Sequence, residues 1–182
     1  KPFILLAGIS GTGKSQIVRK LAQASINLKQ EDESSRWTNQ HPKNFELVQV
    51  KPNWHNSMDV VGYKSNIGRE HYEFTPFVEF IAKACLNKNV PYFLCLDEMN
   101  LAPVEEYFAE FLSAIESRSI DKDGNYTTDP IIKPFTSFDG NDNKMSDSMI
   151  AHLLGKLDSE VKLYLAETFR TKGLMLPQNL IV

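Results

Sequence analysis

The sequence predicts an α/β fold in which helices cover a mostly parallel β-sheet. Three observations support this prediction. Short apolar runs alternate with amphipathic helical segments, a glycine-rich turn joins the first run to the first helix, and two acidic residues directly follow a later run. Runs of this kind are typical of strands buried on both faces, and their alternation with helices is typical of a parallel sheet. The 182 residues suffice for one domain with a hydrophobic core.

The first strand and the first helix flank the glycine-rich turn. Residues 3–7 (FILLA) are apolar and predict a buried parallel strand. A helix is expected over residues 13–24, because apolar residues recur there at helical spacing. The residues expected on its inward face are Ile17, Leu21 and Ala24.

The middle of the chain is predicted to hold a second strand and a second helix. Residues 27–44 are polar and are expected to form an excursion from the core. A strand is expected over residues 45–51, followed by an irregular segment over residues 52–75. A helix is expected over residues 76–87, because Thr75 followed by proline is a favourable helix start.

The third predicted strand covers residues 92–96, and the clearest helix follows it. The side chains that recur at three- and four-residue steps in this helix are Val104, Tyr107, Phe108, Phe111, Leu112 and Ile115.

Residues 118–169 are expected to form an insertion before the final apolar run. A hairpin is predicted over residues 118–134, because an Asp-Gly-Asn sequence is a turn signal. A polar loop over residues 139–148 and helical structure over residues 147–169 follow. The terminal residues 176–182 (LPQNLIV) predict the start of a fourth strand. We therefore expect the 182 residues to be part of a longer protein, since this fold does not end on such a strand.

Composition excludes several classes of protein. The apolar fraction of 42% is ordinary for a soluble protein, and a net charge of −3 does not favour a DNA-binding surface over the whole chain. The chain has no apolar run long enough to span a membrane and no signal peptide, so a cytoplasmic protein is expected. The two cysteines, Cys85 and Cys95, lie in apolar runs and are predicted to be buried without binding zinc.

Residues 8–15 (GISGTGKS) match the pattern G-x-x-x-x-G-K-[ST], which is typical of phosphate-binding loops. Glycines let the backbone amides converge on phosphate oxygens, and the following helix points its positive end at the same anion. A lysine can then reach the β- and γ-phosphates, and a serine hydroxyl can bind Mg²⁺. The predicted nucleotide-binding residues are Gly8, Ser10, Gly11, Thr12, Gly13, Lys14 and Ser15, of which Lys14 also serves catalysis.

Two acidic residues end the third predicted strand. Parallel strands place their carboxyl ends at one edge of the sheet, so Asp97 is expected to bind Mg²⁺ together with Ser15. Glu98 is the candidate catalytic base that polarises the attacking water. Asn100 either orients this water or caps the next helix, and the two alternatives have similar weight.

At these residues the sequence resembles a known family. GISGTGKS, together with LDEMNLAPVEEYFAEFLSAIESR, is similar to AAA+ ATPases of the dynein-related branch, and within it most similar to McrB-type motor NTPases of modification-dependent restriction systems. The segment VQVKPNWHNSMDVVGY (residues 48–63) and the terminal LPQNLIV also resemble this family. The likeness is patchy in the polar inserts but includes every expected strand.

The resemblance implies a P-loop NTPase with a three-layer α/β/α core and five parallel strands in the order 5-1-4-3-2. Residues 1–182 would form a single partial core, ending before the sensor-1 residue, the arginine finger and the helical lid. The family implies Mg²⁺ with ATP or GTP, and assembly of the full-length protein into a homo-oligomeric ring, usually a hexamer. Because the arginine finger would lie outside the chain, we expect this fragment alone to be weakly active.

Two functions are consistent with this resemblance. The favoured one, because of the wording MNLAPVEEYFAEFL in residues 99–112, is an McrB-like subunit that drives a partner nuclease on DNA. No nuclease motif in this chain has suitable context, so any cutting activity would belong to a partner chain. The alternative is a MoxR- or midasin-like ATPase that remodels protein complexes. A binding module without hydrolysis is disfavoured by the intact Lys14, Asp97 and Glu98.

Four further residues have two interpretations each. Trp54, His55 and Tyr63 lie where AAA+ proteins often carry a substrate-contacting loop, but packing within the protein is favoured. The adjacent Gly62 is expected to meet a backbone requirement. Arg118 could face the phosphate of a neighbouring subunit, but a solvated charge at a helix end is favoured.

Overall fold

The computed structural model describes residues 3–9, 11–27, 42–67, 71–122, 124–137 and 144–182. The α-helices are α1 (Lys14–Asn27), α2 (Met58–Val61), α3 (Pro76–Leu86), α4 (Val104–Tyr107), α5 (Ala109–Glu116), α6 (Lys144–Leu154) and α7 (Glu160–Lys172). The strands are β1 (Phe45–Gln49), β2 (Tyr63–Ser65), β3 (His71–Glu73), β4 (Tyr92–Asp97), β5 (Ser119–Ile120), β6 (Tyr126–Thr127), β7 (Pro130–Ile132), β8 (Leu174–Met175) and β9 (Leu180–Ile181). Short 3₁₀ helices cover Met99–Leu101 and Phe135–Ser137.

The central sheet is parallel, as predicted, and has the strand order β1-β4-β9. The register pairs Gln49 with Asp97 and Tyr92 with Leu180. The chain leaves both β1 and β4 at the same edge, where the Val50 N–H donates to the Asp97 carbonyl at 3.1 Å. Asp97 therefore lies at the carboxyl edge of the sheet, as the sequence predicts.

The prediction that residues 3–7 form a buried strand is wrong. The backbone of this segment contacts the sheet through the Ile4 N–H, which donates to the Val182 carbonyl at 2.6 Å. Phe3 is half-buried against the core, but the side chains of residues 4–7 remain exposed, with Leu5 66% exposed. A cavity of about 440 Å³ lies beside this segment, bordered also by α1 and β4. The apolar run therefore lacks the close packing on both faces that buries a parallel strand.

Helix α1 begins one residue after the predicted start and ends three residues beyond the predicted end, at Asn27. Its predicted inward face is wrong, since Ala22 is fully buried whereas Ile17 and Leu21 are each 53% exposed. Apolar residues occupy two neighbouring faces of this helix. The face with Ala22 is turned inward, and the other face borders the cavity beside residues 3–7. The helical period alone does not distinguish between these faces.

Asn44 connects α1 to the central sheet. Its side chain is buried, and its Nδ2 donates to the Ala22 carbonyl at 3.1 Å and to the Pro91 carbonyl at 2.8 Å. One amide group thus joins the second half of α1 to the residue that precedes β4. This connection helps to hold the start of α1 at the same sheet edge as Asp97.

The largest part of the core lies around α3, which is capped as the sequence predicts. The Thr75 side chain accepts a hydrogen bond from the Val78 N–H, and Pro76 occupies the first turn. Phe77 packs edge-on against Phe108 and Phe111 at centroid distances of 5.8 and 5.9 Å. Such edge-to-face pairs stabilise a core beyond the area that they bury.

The long helix predicted after β4 is divided into two. α4 ends at Tyr107, and α5 begins at Ala109 because Phe108 leaves helical geometry at φ −115° and ψ 11°. Both Tyr107 and Phe108 are buried. Two consecutive aromatic side chains thus enter the core at this change of direction.

The segment predicted to be irregular, residues 52–75, contains α2 and the antiparallel hairpin of β2 and β3. Gly62 connects α2 to this hairpin with φ +95°. A Cβ atom at this position would lie 2.0 Å from the Glu73 carbonyl oxygen. The expected backbone requirement at Gly62 is therefore confirmed.

The insertion follows the prediction only in part. The hairpin of β5 and β6 is present but short, and β7 pairs with the distant β8. The predicted polar loop over residues 139–148 is wrong after Lys144, where α6 begins, and residues 138–143 lie outside the described residues. The predicted helical segment is two helices, α6 and α7. Among the described residues, no helix is long and apolar enough to cross a membrane.

We expect Gly62→Ala to lower the free energy of unfolding by roughly 3–5 kcal/mol. The alanine would have to adopt an unfavourable positive φ, and its methyl group would overlap the Glu73 carbonyl oxygen. Denaturant unfolding measures this change. Gly155→Ala is the matched control, since Gly155 also has φ +66° but no atom lies within 4 Å of the added carbon. Its expected cost is about 1–2 kcal/mol. Equal costs for the two variants would contradict the prediction.

Candidate functional site at the carboxyl edge of the sheet

The phosphate-binding sequence forms an open turn between residues 3–7 and α1. Gly11 and Gly13 have φ values of +80° and +81°, which residues with a side chain rarely adopt. The Thr12 hydroxyl donates to the Ile9 carbonyl at 2.8 Å and closes the turn. Ser10 lies outside the described residues. Since α1 begins at Lys14, its free N–H groups lie directly after the turn.

Lys14 folds back over this turn. Its Nζ donates to the Gly8 carbonyl at 3.0 Å and to the Ile9 carbonyl at 2.9 Å. Both acceptors are neutral main-chain oxygens. A phosphate oxygen carries more negative charge, so the ammonium group would form a stronger, charge-assisted bond with a phosphate at this position.

Ser15 and Asp97 are joined directly. The Ser15 hydroxyl donates to Asp97 Oδ1 at 2.8 Å, although the two residues are 82 positions apart in the sequence. Ser15 lies in the first turn of α1 and Asp97 ends β4. A hydroxyl and a carboxylate are both oxygen ligands of the kind that Mg²⁺ prefers.

Glu98 has an unusual backbone conformation. Its φ and ψ are 54° and 45°. Among the residues that the structure describes, it is the only one other than glycine with positive φ. Asn100 lies within the following 3₁₀ helix, whereas α4 is preceded by Pro103 and lacks a side-chain cap. The alternative that Asn100 caps the next helix is therefore wrong.

One cavity of about 440 Å³ contains most of the predicted site. The predicted residues that border it are Gly8, Lys14, Ser15, Asp97, Glu98 and Asn100. The structure thus brings together side chains from two separate parts of the chain. The apolar remainder of the lining comes from residues 3–7, α1 and β4.

Cys95 also borders this cavity, which corrects the prediction that both cysteines are buried. Burial raises the pKa of the Cys95 thiol, and the neighbouring Asp97 raises it further, whereas a hydrogen bond with Ser15 lowers it. Cys85 is buried as predicted, and burial raises its pKa to about 12.

The other candidate residues lie outside this cavity. Trp54 is only 8% exposed and packs on Tyr107, so the packing interpretation is confirmed for Trp54. Tyr63 is 52% exposed at the start of the hairpin. The exposed imidazole of His55 lies 3.9 Å from Glu106. Arg118 is exposed and borders a separate pocket together with Pro91. Because Pro91 directly precedes β4, this pocket lies at the amino end of β4, away from Asp97 at its carboxyl end.

The sequence pattern predicts for Tyr107 only a place on the apolar face of a helix. In the structure, its hydroxyl donates to the Met99 carbonyl at 2.9 Å, one residue after Glu98. The sequence does contain a signal for this hydrogen bond, namely a tyrosine among phenylalanines at predicted core positions, because a buried phenol usually has a hydrogen-bond partner.

The residues present fit a nucleotide phosphate and one divalent cation. The positive-φ glycines leave open space where a Cβ atom would stand, with no atom within 4 Å at Gly11 or Gly13. Among the described residues, no group of three His, Cys, Asp or Glu side chains could hold a metal ion by itself. The pair Ser15 and Asp97 is instead typical of a cation that shares its ligands with phosphate and water.

We expect a maleimide to label Cys95 at least about tenfold faster than Cys85 in the folded protein, because Cys85 is buried and its thiolate is scarce at neutral pH. Peptide mass spectrometry after timed labelling measures both rates. Cys95→Ser should leave the folded protein nearly unlabelled, and labelling after denaturation should reach both wild-type thiols. Faster labelling of Cys85 would contradict the described burial.

One of two comparisons with known proteins identifies the family of this chain. A search of curated proteins found no match to the chain. A family model described as AAA domain (dynein-related subfamily) matches residues 3–135, which is more than half of the 182 residues. The match includes the phosphate-binding turn, the Ser15–Asp97 pair and Glu98. AAA+ domains are P-loop NTPases that generally use ATP and Mg²⁺ and commonly assemble into rings. The chain belongs to the dynein-related subfamily of AAA domains.

Proposed function

We propose that this chain binds ATP or GTP with Mg²⁺ at the carboxyl edge of its sheet and, in the full-length protein, hydrolyses the nucleotide to drive a motor. The observation that carries the proposal is the hydrogen bond between Ser15 and Asp97. It places a hydroxyl at a helix start beside a carboxylate at a strand end, and both border the cavity that also contains Lys14 and Glu98.

The turn and the start of α1 would hold the phosphates. Free N–H groups at the start of the helix and the positive-φ turn favour an anion at this position. Lys14 would exchange its two main-chain acceptors for phosphate oxygens. Ser15 and Asp97 would hold Mg²⁺, which neutralises negative charge on the phosphates when it is bound.

Glu98 would act as the base. A carboxylate that borders the phosphate cavity can accept a proton from water as that water attacks the terminal phosphorus. Asn100 borders the same cavity two residues later and would orient this water through its side-chain amide. Nucleotide binding and proton transfer would therefore depend on different side chains, binding on Lys14 and proton transfer on Glu98.

We expect two substitutions in the full-length protein to separate binding from hydrolysis. Lys14→Ala should weaken nucleotide binding strongly, because it removes the cation that faces the phosphates. Glu98→Gln should retain binding but reduce kcat by roughly 10²-fold or more, because an amide cannot accept the proton. Fluorescent-nucleotide titration and phosphate release measure the two effects.

Lys20→Ala is the matched control for the loss of a lysine, since Lys20 lies on the same helix and is exposed. It should bind and hydrolyse nucleotide like the wild type. Unchanged phosphate release in both Lys14→Ala and Glu98→Gln would overturn the proposed function.

The resemblance of residues 96–118 to McrB-type proteins supports a more specific role. We propose that the full-length protein is the ring-forming NTPase subunit of a modification-dependent restriction system and acts on DNA through a partner nuclease. The alternative is a MoxR- or midasin-like ATPase that remodels protein complexes, because the nucleotide site would be the same in both.

DNA cleavage distinguishes these roles. We expect the full-length protein, mixed with its proposed partner nuclease, to cut methylated DNA only when ATP or GTP is hydrolysed. Glu98→Gln in the same mixture should bind nucleotide without supporting cleavage. Hydrolysis that responds to neither DNA nor the nuclease, together with nucleotide-dependent disassembly of a protein complex, would contradict the restriction role.

A further inference from the structure

Tyr107 is a polar residue at the centre of the core. It is fully buried at the end of α4. Its hydroxyl donates to the Met99 carbonyl at 2.9 Å. Burial also raises the pKa of Tyr107 to about 12, so the phenol remains a hydrogen-bond donor at any physiological pH. Removing the hydroxyl would leave this carbonyl without that donor.

The hydrogen bond lies next to the strained residue of the site. Glu98 occupies the left-handed region at φ 54°, which costs about 1–2 kcal/mol for a residue with a side chain. Such a conformation persists only when surrounding contacts hold it. Two contacts follow directly along the chain: the Leu101 N–H donates to the Glu98 carbonyl at 2.9 Å, and the Tyr107 hydroxyl binds the Met99 carbonyl.

The Tyr107 ring is itself held in place from a second part of the chain. Trp54 packs edge-on against it, with ring centroids 5.4 Å apart and an interplanar angle of 63°. The segment that carries Trp54 continues from β1 and is attached to β4, since the Val50 N–H donates to the Asp97 carbonyl. The phenol therefore has little freedom to move away from Met99.

We propose that Tyr107 is a positioning residue for Glu98. Its hydroxyl holds the 3₁₀ turn over Met99–Leu101, and this turn keeps the preceding Glu98 in the left-handed conformation that directs its carboxylate into the phosphate cavity. Tyr107 is buried and outside the cavity lining, so it acts through the main chain and not on the nucleotide. This inference rests on the proposed role of Glu98 as the base.

Tyr107→Phe in the full-length protein tests the inference, because it removes the hydroxyl and keeps the ring that packs on Trp54. We expect kcat for nucleotide hydrolysis to fall roughly three- to tenfold, which corresponds to the loss of one hydrogen bond. The nucleotide Kd should stay within about twofold of the wild type, because the phosphate-binding turn is unchanged.

Tyr72→Phe is the matched control. The Tyr72 hydroxyl also donates to a main-chain carbonyl, that of Gly62 at 3.1 Å, and burial also raises the pKa of Tyr72 to about 12. Its loss should lower stability to a similar extent without reducing kcat. A fall in kcat of the same size in both variants would show a general effect of stability and overturn the inference.

A double variant separates this inference from the proposed function. If Tyr107 acts through Glu98, adding Tyr107→Phe to Glu98→Gln should leave the residual rate unchanged. A further threefold fall, an unchanged kcat in Tyr107→Phe, or a loss of nucleotide binding in Tyr107→Phe would overturn the positioning role. Full activity of Glu98→Gln would overturn the proposed base and the inference together.

Discussion

The hydrogen bond from Ser15 to Asp97 is the interaction on which the site depends. It joins the first turn of α1 to the carboxyl edge of β4 and so brings the phosphate-binding turn beside the acidic residues. The parallel pairing of β1 with β4 determines where that edge lies, and Asn44 holds the far half of α1 to the start of β4. Helix and strand are thus attached to each other at both ends, and the cavity between them contains Lys14, Glu98 and Asn100.

The packing behind β4 has a second consequence for the site. Tyr107 and Phe108 both enter the core where α4 gives way to α5, and there Phe108 packs on Phe77 and Tyr107 on Trp54. At the end of α4, before this break, the Tyr107 hydroxyl lies at the Met99 carbonyl. Core packing and the backbone of the candidate base are therefore connected through one side chain. A residue with a side chain and positive φ persists only when surrounding contacts hold it.

Local chemistry explains why the glycine-rich turn and the start of α3 could be predicted. The turn over residues 8–15 has positive φ at positions that hold glycine, and Thr75 followed by Pro76 favours the start of a helix. Sequence and structure therefore agree at both places. Where two arrangements satisfy the same local pattern, prediction fails. Ile17 and Leu21 fit an inward helical face as well as Ala22 does, and the hairpin after Gly62 has strands of only three residues. Residues 3–7 have the composition of a buried strand, but residues 4–7 remain exposed.

The sequence by itself determined the residue types of the candidate site, which are a glycine-rich turn with Lys14 and Ser15 and two acidic residues after an apolar strand. It also determined membership of the dynein-related AAA subfamily, through residues 3–135. These features depend on residue type and on spacing within a few positions. Only the tertiary structure decided that Asn100 borders the cavity and does not cap a helix, that Cys95 lies beside Asp97, and that Tyr107 reaches Met99. Those outcomes arise from contacts between elements, which the spacing along one segment does not specify.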